Sequence, residues 1–213
     1  MATADKPRRG KGSVFRNRDG IPPLLASNIR EAWMQTNKSL PRELGADFHL
    51  LDPAFHPAES VEYAKWIRET VEEVAQEKKR LSKSIAGKIT PRDLADCDDS
   101  AFRLKSAAAA HRQSELAAPL CVGVAGCRTQ RGDEHMVNWV VSCKFRQKGE
   151  RFTVRYALWF VDFRALVEAV EAGWNFEGAP PAKFRNDPPR MLHLLATPEA
   201  ASKFIKLPFL ILA

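Results

Sequence analysis

What this chain lacks narrows it first. No apolar run approaches the roughly 18 residues that a membrane-spanning helix needs, and the apolar tail Leu207–Ala213 is far too short to span. The N-terminus is charged and has no apolar h-region, so no secretory leader is expected. Cysteine is scarce: Cys97, Cys121, Cys127 and Cys143 are the full set, and no two of them form a Cys-x-x-Cys pair. Structural zinc sites are usually built on such tight spacing. The thiols therefore read as reduced residues of a cytoplasmic protein. The five histidines, His49, His56, His111, His135 and His193, show no His-Glu-x-x-His spacing. Gly-x-Ser-x-Gly elbows, phosphate-cradling Gly-rich loops and dinucleotide fingerprints are absent too. No cofactor or metal is expected, and catalysis would need a site assembled only in space. Internal repeats and low-complexity tracts are also missing.

What is present is ordinary in amount and uneven in placement. A hydrophobic share of 45% and a charged share of 28% suit a globular chain. At 213 residues it can bury one sizeable core, with or without a helical appendage. The net charge of +7 favours an acidic partner: nucleic acid, an anionic membrane surface or an acidic protein face. Residues 1–20 carry +4 of it, through Lys6, Arg8, Arg9, Lys11, Arg16 and Arg18 against Asp5 and Asp19. A flexible basic arm over 1–22 is expected, with Arg8, Arg9 and Lys11 as candidate partner contacts.

Periodicity then divides the chain. Residues 23–118 read as helical. Asn28 and Glu31 suggest a capping box for a helix over 28–38, with Ile29, Ala32 and Trp33 on one face. Tyr63, Ile67, Val71, Val74 and Leu81 form an apolar stripe over 58–84, with Glu59 and Glu62 at its start and Lys78, Lys79, Arg80 and Lys83 at its end. Gly87 reads as its stop, and Thr90-Pro91-Arg92-Asp93 as a further capping box. A helix over 99–117 carries Phe102, Leu104, Ala108 and Leu116.

From 119 to 213 the period changes to two. Strands are expected at 120–129, 135–146, 151–162 and 190–196, with helices starting after Asp162 and at Thr197-Pro198-Glu199. The fold class expected is α+β: a helical N-terminal half followed by a mainly antiparallel sheet, β-β-β-α-β-α, the two sharing one core. The tail 207–213 either packs onto this sheet or adds to the edge of another chain.

The most informative stretch is a hairpin. A two-residue turn at Lys148-Gly149 pairs Phe145 with Phe152, Cys143 with Val154, Val141 with Tyr156, Trp139 with Leu158 and Val137 with Phe160. All five pairs are apolar and lie on one face, which is expected to be core. The other face then sets Arg146 opposite Arg151, Lys144 opposite Thr153 and Ser142 opposite Arg155, and turns apolar at Val140, Ala157, Trp159 and Val161. One reading makes these cations a solvated surface. The other makes Lys144, Arg146, Arg151 and Arg155 a docking site for carboxylates or phosphates, with Trp159 as an apolar anchor. Two further groups have bland and chemical readings. Asp96, Asp98 and Asp99 either cap the following helix or hold a nuclease metal. Cys121, Cys127 and Cys143 with His135 are either core residues or metal ligands.

Residues 135–172 carry a resemblance, from Met-Val-Asn-Trp-Val-Val-Ser-Cys-Lys-Phe through Phe-Val-Asp-Phe-Arg-Ala-Leu-Val-Glu-Ala. With the basic, Ala- and Arg-rich character of the chain, they resemble the fertility-inhibition proteins of bacterial conjugative plasmids, which suppress transfer of a co-resident plasmid. The resemblance implies a small bacterial cytoplasmic protein that inhibits by contact. Its target would be the coupling ATPase of conjugation or the relaxase–DNA complex. One such family has a nucleotide-binding box beginning Gly-Glu-Arg-Arg. This chain has Gly149-Glu150-Arg151-Phe152, in a hairpin turn, so nucleotide hydrolysis is not implied. The expected function is thus a non-enzymatic interaction protein, with a nucleic-acid-binding accessory role on the same basic surface as the alternative.

Overall fold

The computed structural model describes residues 21–35, 48–49, 52–84, 96–114, 118–148, 151–185, 190–206 and 210–212. Residues 1–20 of the expected basic arm, Gly87 and the box at 90–93 lie outside them.

The chain is α+β, with a mainly antiparallel sheet. Its strands are β1 (Leu24–Leu25), β2 (Phe48–His49), β3 (Ala54–Phe55), β4 (Val122–Arg128), β5 (Glu134–Lys148), β6 (Arg151–Val161) and β7 (Leu210–Leu212). Its helices are α1 (Ala26–Gln35), α2 (Ser60–Ser84), α3 (Cys97–Ser114), α4 (Phe163–Glu171), α5 (Ala182–Arg185) and α6 (Pro198–Ala201). Five strands form the main sheet in the order β2-β7-β4-β5-β6, and β1 and β3 make a separate pair. Every neighbour in the main sheet is antiparallel except β2 and β7. The helical half therefore contributes a strand to the sheet as well as a covering layer.

Local chemistry sets the helix starts. Asp162 caps α4, its Oδ1 accepting the Ala165 N–H at 3.0 Å, and Gly173 takes φ 96° just past the helix end. Thr197 caps α6 through the Ala200 N–H at 3.2 Å. At α2 the Glu62 carboxylate accepts the Glu59 N–H at 2.7 Å, the return half of a capping box. The expected box at Asn28 is shifted by one turn. The helix begins at Ala26, and Asn28 Oδ1 reaches back to accept the Leu25 N–H at 3.0 Å. Asn28 thus does what glutamate does in such a box.

Both faces of the sheet are buried. On one lie Val137, Trp139, Val141, Cys143, Leu158 and Phe160, packed with Ile29, Ala32 and Trp33 of α1 and with Met191, Ala196, Ala201 and Ile205. On the other, Val122, Val140 and Val161 meet Tyr63, Ile67, Val71 and Val74 of α2, Leu104 and Ala108 of α3, and Phe163, Leu166 and Val167 of α4. Each large apolar side chain so buried contributes about 1.5–3 kcal/mol. Two residues expected on these stripes are instead exposed, Leu81 and Phe102. Ala101 takes the inward position on α3, at the spacing 101, 104, 108.

One expectation is corrected here. Residues 190–196 are not a strand. Only Ala196 bridges β6, exchanging both backbone hydrogen bonds with Phe160 at 2.8 Å. Met191 and Ala196 enter one core while Leu192, Leu194 and Leu195 pack against the other, so the segment wraps the sheet edge. The strand that completes the sheet is the apolar tail. β7 packs into the chain's own sheet, between β2 and β4.

The close fit of β4 depends on Gly123. It pairs directly with Trp139, whose indole N–H donates to the Val124 carbonyl at 3.3 Å. A Cβ at position 123 would run into that indole ring and into the Leu212 carbonyl. Both neighbours are fixed, one by the core and one by the strand ladder. Gly123→Ala is therefore expected to destabilise the fold by about 1–3 kcal/mol, read as a lowered midpoint in chemical denaturation. An unchanged midpoint would contradict this packing.

Candidate docking surface at the hairpin tip

β5 and β6 pair from Asn138↔Val161 to Lys148↔Arg151. The expected turn at Lys148-Gly149 is thus displaced: facing residues sum to 299 rather than 297, which leaves Gly149 and Glu150 as the connection. The displacement moves each partner by two residues. Side chains alternate with period two, so each residue keeps its face. Trp139 faces Phe160 rather than Leu158, Val141 faces Leu158, Cys143 faces Tyr156 and Phe145 faces Val154. The apolar set still lies together on the core side.

The cationic set is redistributed in the same way. Lys144 faces Arg155, Arg146 faces Thr153, and Ser142 faces Ala157. Lys144, Arg146 and Arg155 are exposed, and none of them joins an ion pair with a described residue. The Thr153 hydroxyl donates to the Arg146 carbonyl at 3.2 Å, tying the backbones at this rung. Arg151 enters only through its backbone, as the partner of Lys148 on the next rung. Arg8, Arg9 and Lys11 lie outside the described residues.

The rest of this face is not a surface, and here the expectation fails. Asn138, Val140 and Ser142 are buried under the α2–α3–α4 layer. Asn138 Nδ2 donates to the Ala101 carbonyl at 2.8 Å and the Gly123 carbonyl at 3.2 Å. Trp159, expected as an apolar anchor for a partner, packs against this inner core instead. Its indole N–H donates to Ser142 Oγ at 2.8 Å. The cations are confined to the tip because the covering layer stops short of it. Next to Lys144, the Cys143 N–H donates to the Ala58 carbonyl at 2.8 Å.

A second polar cluster was not foreseen. His135 Nε2 lies 2.9 Å from Asp162 Oδ2, both side chains nearly buried, while the other Asp162 oxygen caps α4. The Cys127 thiol donates to the His135 carbonyl at 3.3 Å. Burial pushes the Cys127 thiol up to about 12 and raises Cys121 as well, so both remain protonated at neutral pH. The Cys121 N–H donates to the buried Tyr63 hydroxyl at 2.9 Å, which ties α2 to the start of β4. Among the described residues no three His, Cys, Asp or Glu side chains could hold a metal ion. At the start of α3, Asp96 Oδ1 accepts the Asp99 N–H at 3.3 Å. A hydrogen bond between the Asp96 and Asp98 carboxyls lowers the pKa of the first and raises that of the second. These acids serve the helix start.

Comparison with protein-family models, with characterised proteins and with solved structures finds no match in any of the three. The hairpin tip is therefore read from its own chemistry.

Thiol exposure gives a direct check of this arrangement. Cys97 is half-buried and the other three cysteines are buried. A water-soluble disulfide reagent at pH 8 is expected to modify one thiol in the folded protein and four in guanidinium. Rapid modification of three or four in the folded protein would contradict the described core.

Proposed function

We propose that this chain is a non-enzymatic interaction protein whose hairpin tip docks on an acidic face of a larger machine and restrains it. One observation carries the reading. Lys144, Arg146 and Arg155 stand exposed on one face of a paired hairpin with no counter-charge among the described residues. Opposed like charges destabilise a sheet, and Lys144 directly faces Arg155. A carboxylate-bearing partner relieves that repulsion and steers its own association.

The resemblance to fertility-inhibition proteins supplies the candidate machine, plasmid conjugation, with the coupling ATPase or the relaxase–DNA complex as target. The site would be cytoplasmic, and no described helix is long and apolar enough to cross a membrane. The same cations also suit phosphates, which supports nucleic-acid binding as the second reading.

The test is plasmid transfer from donor cells that express this chain. Transfer frequency is expected to fall, and the triple variant Lys144→Glu/Arg146→Glu/Arg155→Glu is expected to restore it at least tenfold. All three residues are exposed, so the variant should keep the wild-type denaturation midpoint within about 0.5 kcal/mol. A folded triple variant that inhibits as well as the wild type overturns the tip as the docking surface. Inhibition that tracks a steep salt-dependent DNA affinity favours the second reading.

A further inference from the structure

We infer that the tip takes its partner as an added β-strand: an extended segment alternating acidic and apolar residues, laid along the outer edge of β6. This deepens the docking reading above and rests on it.

The edge is defined by one residue. Phe160 turns both its N–H and its carbonyl outward, and Ala196 engages both. In an antiparallel ladder the outward groups recur at every second residue, so Tyr156 and Val154 also present theirs outward. Neither has a hydrogen-bond partner on that side among the described residues, and both residues are half-buried. β6 is the last strand of its sheet. An unpaired edge of this kind is a template for another strand.

The side chains select what can bind there. Lys144↔Arg155 and Arg146↔Thr153 are successive rungs of one face, and positions 148 and 151 form the next. Successive rungs are about 7 Å apart, which is also the spacing of alternate residues on an added strand. Acidic residues at every second position would all lie on this basic face, one of them directly beside Arg155. The intervening residues would lie on the opposite face, beside Val154 and Tyr156, which pack against the α1-side core. That face calls for apolar residues.

Two competing occupants fit less well. A second copy paired edge to edge over the same residues would bring two cationic tips together, which is destabilising. A nucleic-acid backbone offers only acceptors along its phosphates, so it leaves the Val154 and Tyr156 carbonyls unmatched. A polypeptide strand supplies a donor and an acceptor at each such position.

The test uses the full chain with two ten-residue probes of equal composition, one alternating Glu and Val and one with its Glu and Val in two blocks. Amide hydrogen exchange at Val154 and Tyr156 is followed by NMR. The alternating peptide is expected to slow both amides at least tenfold, and the Lys144→Glu/Arg155→Glu variant to abolish this. Equal binding of the two peptides with both amides unprotected overturns strand addition and leaves the acidic-surface reading standing. Binding unchanged in the double variant overturns both. A ten-nucleotide single strand that binds more tightly than either peptide and protects neither amide overturns strand addition in favour of phosphate binding.

Discussion

The contact between Trp139 and Gly123 is the constraint from which most of the structure follows. β4 can lie against β5 at this point because residue 123 has no side chain, and the vacated space holds the indole. Trp33 of α1 meets Trp139 edge-on at 5.6 Å, and meets Phe160 in the same way at 5.6 Å. Such edge-to-face pairs add about 0.5–1.5 kcal/mol each beyond the area they bury. One tryptophan thus joins α1, β4, β5 and β6. The Leu212 carbonyl stands beside the same glycine, so the C-terminal strand is held to this geometry as well.

β5 carries this core and also the proposed docking surface. It is fifteen residues long, whereas its pairing with β4 runs only as far as Val140↔Val122. Beyond Cys143 the strand continues with β6 as its sheet partner. The projecting end keeps the sheet's rigidity while leaving the helical layer behind. Rigidity matters for recognition, because cations held on a ladder lose little freedom when a partner arrives. In physiological salt their field reaches about 8 Å, so they act on a partner already at close range.

The two polar sites of the sheet divide along the same axis. At one end of β5, His135, Asp162 and Cys127 are bonded to one another or to nearby backbone, and burial keeps the thiol protonated. A buried polar network with its partners in place rigidifies a core. At the other end, Lys144, Arg146 and Arg155 have no such partners among the described residues. Satisfied polar groups hold the fold, and unsatisfied exposed charge is what remains for binding. The Asp162 cap was legible in the sequence because a carboxylate before Phe-Arg-Ala-Leu has one local use. Its bond to His135 was not, because the two are brought together only by the strand pairing.

Which residues share a face of the sheet was determined by the sequence alone. Alternation in 137–145 and 154–160 assigns faces whatever the turn, since a displacement of two residues leaves the parity unchanged. The helix caps at Glu59–Glu62, Asp162 and Thr197 were equally local, and so was the stripe Tyr63–Ile67–Val71–Val74. Tertiary structure alone decided what covers each face. The alternate positions Ser142, Val140 and Asn138, two of them polar, carry no mark of the helices that bury them. The run Met191–Ala196 reads as a strand because its apolar residues serve two cores, one on each side of the sheet edge. The three-residue β7 is too short for any periodicity to reveal, and it is a strand only because β2 and β4 flank it. Pairing between segments distant in the chain depends on which surfaces remain uncovered once the rest has folded, and no local pattern encodes that.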